Sequence, residues 1–171
     1  MDSMEAQAKF IYAILVVFLV LGVAAMAFVM IALDDPDSEY ARPHDYIIES
    51  GTYMGHDASG TGHSDYYNES PREFVYRFVT DVSYGGKTES LRFDVICGLD
   101  KAPVDSIYKK EEKKTVSGIE CTWWSYSAKT FDCRFAIDSG MVVRTYVLSD
   151  SEGTWSLTAS LNDRSADEPA N

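Results

Sequence analysis

Basic residues are scarce in this chain: 15 Lys and Arg stand against 27 Asp and Glu, a formal net charge of -12 over 171 residues. A surface of that sign repels the phosphate backbone that a non-specific nucleic-acid binder must neutralise, so nucleic acid is excluded as an expected partner. Cysteine is sparse as well. Cys97, Cys121 and Cys133 include no C-x-x-C pair, which excludes a disulfide-dense scaffold and a four-cysteine zinc site. The phosphate loop G-x-x-x-x-G-K-[ST] is missing, and no Ser/His/Asp or Cys/His arrangement has supporting context. No cofactor is expected, and the length suits one ordinary domain with one extra segment.

Charge is absent altogether from Phe10 to Leu33. This run of 24 residues, FIYAILVVFLVLGVAAMAFVMIAL, is apolar all round, and at ~1.5 Å per residue a helix of that length crosses a ~30 Å hydrocarbon core. Lys9 bounds it on one side, and Asp34, Asp35, Pro36 and Asp37 stop it on the other. Ala25-Met26-Ala27 has the small-x-small form of a signal-peptidase site, but Phe28 to Leu33 continue the run past the ~7–15 residues of a removable signal. The expectation is an uncleaved, single-pass anchor in the lipid bilayer over 10–33. Lys9 and the terminal amine, against a single nearby Arg42, put residues 1–9 in the cytoplasm and the rest outside the cell membrane. Residues 34–45, with two prolines and many charges, read as a linker.

Beyond the linker the hydrophobic period becomes two. Tyr46 to Met54 is strand-like, and the Gly-, Ser-, His- and Asp-rich stretch from Gly55 to Ser70 reads as a long polar loop. Glu73 to Tyr84 and Lys87 to Cys97 flank Gly85-Gly86, a pair suited to a two-residue type I′ turn. That turn opposes Phe78 to Phe93, Tyr76 to Val95, Phe74 to Cys97 and Thr80 to Leu91, with Arg77 facing Asp94 on the other side. Asp105 to Val116, including KKEEKK, and Ile119 to Tyr126 read as two strands about Ser117-Gly118, with a helical turn near 104–109 as the alternative. A three-residue loop Asp138-Ser139-Gly140 would oppose Ile137 to Met141, Phe135 to Val143 and Phe131 to Val147. In the last strand Trp155, Leu157, Ala159 and Leu161 point one way and the hydroxyl residues the other. The expected fold is thus an N-terminal transmembrane α-helix plus a mainly-β domain over 46–161. That domain is an antiparallel meander of seven or eight strands, half-closed or barrel-like, and 162–171 form a disordered tail.

The run TVSGIECTWW and then FDCRFAIDSGMVVR resembles the closing strands of uncharacterised, membrane-anchored β-rich surface proteins of archaea, where a Gly turn, a strand and an I-D-x-G hairpin recur. The resemblance covers the last third of the chain. It implies a β-rich surface domain and transfers no catalytic residue.

Three groups of residues are candidates for chemistry. Outside the membrane, three cysteines suggest one disulfide, expected between Cys121 and Cys133; a four-residue connection after Tyr126 would put them on opposite faces and forbid it. His56, Asp57 and His63, in the Gly-rich stretch, offer imidazole and carboxylate to a divalent metal. Asn68-Glu69-Ser70 matches the glycosylation pattern at Asn68, although Pro71 follows it. Trp124, Tyr66 and Tyr67 form a candidate binding surface, because adjacent strand residues face opposite ways and one of Trp123 and Trp124 must be outside. Arg134 and Arg144 would lie opposite each other on the wet face, neutralised by Asp132 and Asp138. The function expected is non-enzymatic: an anchored domain outside the cell that binds an unknown envelope protein or a small ligand. A pilin-like filament subunit and a metal-dependent hydrolase using His56, Asp57 and His63 are the alternatives.

Overall fold

A computed structural model describes Leu19 and residues 41–70, 73–98 and 100–162, without the side chains of 68–70. Residues 1–9, the expected membrane helix over 10–33 apart from Leu19, residues 34–40 of the linker and the tail beyond Asn162 lie outside the described residues. Among those described, no helix is long and apolar enough to cross a membrane.

Among the described residues nine antiparallel strands form one sheet: β1 His44–Tyr53, β2 His56–Ser70, β3 Glu73–Tyr84, β4 Lys87–Gly98, β5 Lys109–Val116, β6 Ile119–Ser127, β7 Asp132–Asp138, β8 Val143–Ser149 and β9 Ser156–Leu161. Their order is β4-β3-β2-β1-β9-β8-β7-β6-β5, so all neighbours are consecutive in sequence except β1 and β9. The meander has nine strands rather than seven or eight. It is open rather than a closed barrel, because β4 and β5 are its edges and no ladder among the described residues joins them.

Two-residue turns with both central residues at positive φ set three of the hairpins: Met54-Gly55, Gly85-Gly86 and Ser117-Gly118. Such turns match the right-handed twist of the strands they join. The β3/β4 register is the expected one at every pair, including Phe78 with Phe93 and Arg77 with Asp94. The Phe78 and Phe93 rings stack at 4.5 Å. Arg77 reaches Asp94 at 3.2 Å on the wet side, where both side chains are over two-fifths exposed, so the pair is worth no more than ~1 kcal/mol.

The polar stretch expected as a loop is strand β2, paired to β1 on one side and β3 on the other. Its alternation is one of size. Ala58, Gly60, Gly62, Ser64 and Tyr66 turn inward, while Asp57, Ser59, Thr61, His63 and Tyr67 turn toward solvent. A Cβ on Gly62 would strike the Tyr146 hydroxyl, and one on Gly60 would strike the Asp81 carbonyl. Small residues here make room for core rings and for close ladder contact, which hydrophobicity does not register.

The β7/β8 register also differs from expectation. Ile137 opposes Val143 and Phe135 opposes Tyr146, with a bulge between Ala136 and Ile137. The turn is wound about Asp138, whose Oδ1 accepts from the Gly140 amide at 2.8 Å and the Val142 amide at 3.0 Å. Met141, not Gly140, takes the positive φ, 68°.

The sheet curls until its flanks touch. Tyr146 of β8 lies 5.5 Å from Phe78 of β3 and 5.1 Å from Phe93 of β4, ring centre to ring centre. Buried phenols tie the flanks together: Tyr46 donates to the Val143 carbonyl at 2.9 Å, Tyr76 to the Met141 carbonyl at 2.8 Å, and the Tyr146 and Thr80 hydroxyls are hydrogen-bonded to each other at 2.8 Å. Burial pushes the Tyr146 phenol up to about 12, so it stays protonated at neutral pH. Between the edges, the 100–108 connection covers part of β4. Val104 donates to the Ile96 carbonyl at 3.1 Å, while the Tyr108 hydroxyl donates to the Asp94 carbonyl and accepts from the Ile96 amide, both at 2.9 Å. Residues 104–108 form a single turn, Tyr108 donating to the Val104 carbonyl at 3.0 Å, and β5 begins after it.

Candidate functional site

The β5–β6–β7 end of the sheet gathers the charged and aromatic groups that the core leaves over. Ser117-Gly118 starts β5 and β6 in register, with Val116 opposite Ile119, and a bulge between Lys110 and Lys113 then shifts the count by one. Without the bulge Glu111 would face Trp124; with it, Lys110 does. The Lys110 ammonium lies 5.6 Å from the Trp124 ring centre. Glu111 is carried to Arg134 instead, 2.5 Å from its guanidinium, and the hydrogen bond from Arg134 holds its carboxyl below the usual carboxylate range. Arg134 also covers the Trp123 ring at 5.2 Å.

Trp124 is 3% exposed and packs on the inner face beside Phe135, so the outward indole is Trp123, half-buried beneath Arg134. Neither ring nitrogen, Trp123 Nε1 or Trp124 Nε1, has an acceptor among the described residues. A cavity of about 240 Å³ is lined by Trp124, Lys101, Lys110, Lys113, Glu120 and Asp138, among others. A second, of about 460 Å³, runs along Lys109, Glu111, Ser125, Tyr126 and Arg134.

Arg144 does not lie opposite Arg134, which pairs with Val147 across the ladder. Arg144 meets Asp138 at 2.6 Å with little exposure of either side chain, so of the two expected acids Asp138 takes this role and Glu111 replaces Asp132 at Arg134.

Cys121 and Cys133 do not meet. Across β6 and β7, Cys121 opposes Asp138 and Cys133 opposes Tyr126. The two sulfurs therefore sit on opposite faces and five ladder positions apart, ~17 Å at ~3.3 Å per residue, far beyond the ~7 Å Cα separation a disulfide tolerates. All three cysteines are free and buried. Burial raises all three thiols above their ordinary value, which removes them as nucleophiles at neutral pH.

His56, Asp57 and His63 are not brought together either. Seven strand positions separate the two histidines, ~23 Å along β2. His56 lies beside the Tyr84 ring at 6.5 Å. His63 sits between two carboxylates, Nδ1 at 2.7 Å from Asp45 and Nε2 at 3.1 Å from Asp65. Among the described residues no group of three or more His, Cys, Asp and Glu could hold a metal ion.

The Asp45 hydrogen bond, with Asp65 in support, raises the His63 pKa. A raised basic pKa stabilises the fold fully below the unfolded value near ~6.5 and no longer once pH passes the folded value. His63→Gln is therefore expected to lower Tm below pH ~6.5 and to match the parent above the raised pKa. The effect has the scale of an exposed pair, ~0.2–1 kcal/mol, and thermal melts from pH 5 to 9 would read it. A constant Tm difference across that range would contradict it.

Tyr66 leans inward onto Phe74 and Tyr76, at 5.7 and 6.0 Å. Tyr67 is 41% exposed, with the Arg77 guanidinium 5.0 Å from its ring centre. Asn68 is a ladder residue opposite Phe74, and its side chain lies outside the described ones.

No protein-family profile matches the chain, and no curated relative matches it. Among the solved structures similar to it are MucB and a DUF1329 family protein. MucB, in complex with MucA(peri), has 14% identity and a TM-score of 0.35 over 80% of this chain, which spans about half, 54%, of that one. A DUF1329 family protein from Desulfovibrio piger has 8% identity and a TM-score of 0.27, covering 82% of this chain and 91% of that one. Neither likeness is close enough to carry an inference about this chain.

Proposed function

We propose that the protein is a non-enzymatic binding module, held at the membrane by residues 10–33 with its β-domain outside the cell, and that the β5–β6–β7 end is where it binds. The observation supporting the binding role is the pair of indole N–H groups at this end that have no acceptor among the described residues, one in a side chain that lines a cavity. A buried donor left unmade costs ~1–3 kcal/mol, a cost that a bound acceptor would remove. The uncharged run over 10–33 supports the anchor, and the resemblance of residues 115–124 and 131–144 to archaeal surface proteins agrees with an outward domain.

Topology is testable because the native thiols are buried and supply a low labelling background. Ser151 stands exposed in the β8–β9 turn. Ser151→Cys is expected to react with a membrane-impermeant maleimide on intact cells, and Ser3→Cys only after permeabilisation. The reverse pattern would overturn the outward orientation, and release of labelled protein by alkaline carbonate would overturn the anchor.

A further inference from the structure

We propose that the tip of the β1/β2 hairpin binds a soft monovalent metal ion of the Cu(I) and Ag(I) class, held by the Met54 thioether and the His56 imidazole. The site is separate from the β5–β6–β7 end. Of the hydrolase centre expected from the sequence it uses His56 alone.

Met54 is out of place as a turn residue. It takes the first position of a two-residue turn at φ of 52°, where Gly85 and Ser117 stand in the other two such turns. Gly, Asn and Asp suit that conformation, and a long side chain is there at a conformational cost. Packing does not offset the cost, because Met54 is 57% exposed. Of the two described methionines it is the one open to solvent, Met141 being 5% exposed. An unfavourable backbone position that presents a thioether to solvent points to a use for the side chain.

His56 is held beside it. A Cβ on Gly85 would lie 3.1–3.3 Å from Cδ2, Nε2 and Cγ of the imidazole, so the ring rests against the bare glycine of the neighbouring hairpin tip. The Tyr84 ring lies 6.5 Å away, its hydroxyl turned to Glu89 at 3.1 Å. His56 nevertheless remains exposed, and neither ring nitrogen has a hydrogen-bond partner among the described residues. A positioned imidazole with a free nitrogen is a ready ligand.

Met54, His56, Tyr84, Gly85 and Lys87 line one cavity of about 280 Å³, and this lining selects the ion. Among the described residues no carboxylate lines it, so a hard cation that takes oxygen ligands is poorly served. Thioether sulfur selects Cu(I)-like ions, and imidazole accepts them. Lys87 adds a positive charge, which repels a divalent ion twice as strongly as a monovalent one at the same distance. Only Gly55 separates the two ligands, and the rotatable bonds of Met54 let its sulfur swing toward the ring. A monovalent d10 ion is satisfied by two such ligands.

The test is a titration of the full chain, 13C-labelled at its methionine methyls, in a nonionic detergent free of halide and thiol at pH ~7.5, where imidazole is neutral. Silver nitrate and zinc nitrate are added separately. The chain has 6 Met, and Met54→Leu assigns the relevant methyl signal. That signal is expected to move with silver and saturate near one equivalent, and to stay in place with zinc. Met54→Leu and His56→Gln, both at exposed positions and with melting unchanged, are each expected to bind silver at least ~10-fold more weakly. A Met54 methyl unmoved by silver would overturn the proposal, including where the buried cysteines take up the metal instead. Undiminished binding by either variant would do the same. Zinc moving the methyl as silver does would overturn the assignment to a soft monovalent ion. Each of these failures would leave the maleimide result and the β5–β6–β7 end untouched.

Discussion

Asp138→Ala is expected to lower the unfolding free energy by ~3–5 kcal/mol, the range for breaking a buried ion pair from one side. Asp138 and Arg144 lie 2.6 Å apart with side chains 5% and 16% exposed, so the guanidinium left behind would have little access to water in compensation. The same carboxylate accepts from the Gly140 and Val142 amides, which would also lose their acceptor. Removing both charges should hurt less. Asp138→Ala with Arg144→Met is expected to recover part of the loss, because the buried guanidinium that had lost the Asp138 carboxylate is then removed as well. Urea denaturation of the three variants against the parent measures the terms. A single-variant loss below ~1 kcal/mol would show that water reaches the pair and that the turn holds itself.

Gly60→Ala is expected to be of similar size, ~3 kcal/mol or more, for a wholly different reason. The residue has φ of 154°, and the added methyl would lie within collision distance of the Asp81 backbone carbonyl on the neighbouring strand, an atom that no rotamer change can move. The β2/β3 ladder would have to separate locally, one ladder in from the β4 edge of the sheet. Gly55 gives the comparison, since its φ is 78° but nothing lies within 4 Å of its missing methyl. Gly55→Ala should cost only the ~1–2 kcal/mol of a left-handed alanine. Thermal melts of both variants decide the matter: equal losses would mean that backbone conformation alone explains Gly60 and that the strands have room to part.

These two positions mark where the sequence is readable and where it is not. The β3/β4 register followed from Gly85-Gly86 alone, because a tight turn leaves no freedom in pairing and each apolar residue then met another. The β9 alternation was equally plain, with Trp155, Leu157 and Ala159 buried and Ser156, Thr158 and Ser160 facing outward. β2 was hidden because its inward side is Ala, Gly, Gly and Ser. Its place in the sheet is enforced by ladders on both flanks and by rings that need the space, both supplied by distant parts of the chain. In the β7/β8 hairpin, Gly140 drew the left-handed position on propensity. The side chain of Asp138 instead organises a longer turn, and Met141 is held by burial and by the Tyr76 hydroxyl on its carbonyl.

The candidate site was legible in its ingredients and not in its arrangement. KKEEKK and the paired tryptophans were visible, and parity correctly required one indole inside and one outside. Which was which depended on Trp124 meeting Phe135 across β6 and β7, and which charge joined it depended on a bulge with no strong sequence mark. The four-residue connection after Tyr126, by contrast, already contained the argument against joining Cys121 to Cys133.

The seam between β1 and β9 gives the sheet a folding order. Every other ladder closes a short local hairpin, whereas β1 and β9 unite the first and last strands of the domain, down to the Asn162 amide donating to the Asp45 carbonyl at 2.8 Å. Two stacks of hairpins, β1–β4 and β5–β9, can therefore assemble from neighbouring residues alone, while their union must wait for the costly closure of nearly the whole β-domain. The strand order is a plain meander in circular form, cut at an arbitrary point. A permuted chain opening at β5 and running from β9 directly into β1 would keep every ladder, turn the slow seam into one more hairpin, and leave the 100–108 strap at one of its two ends.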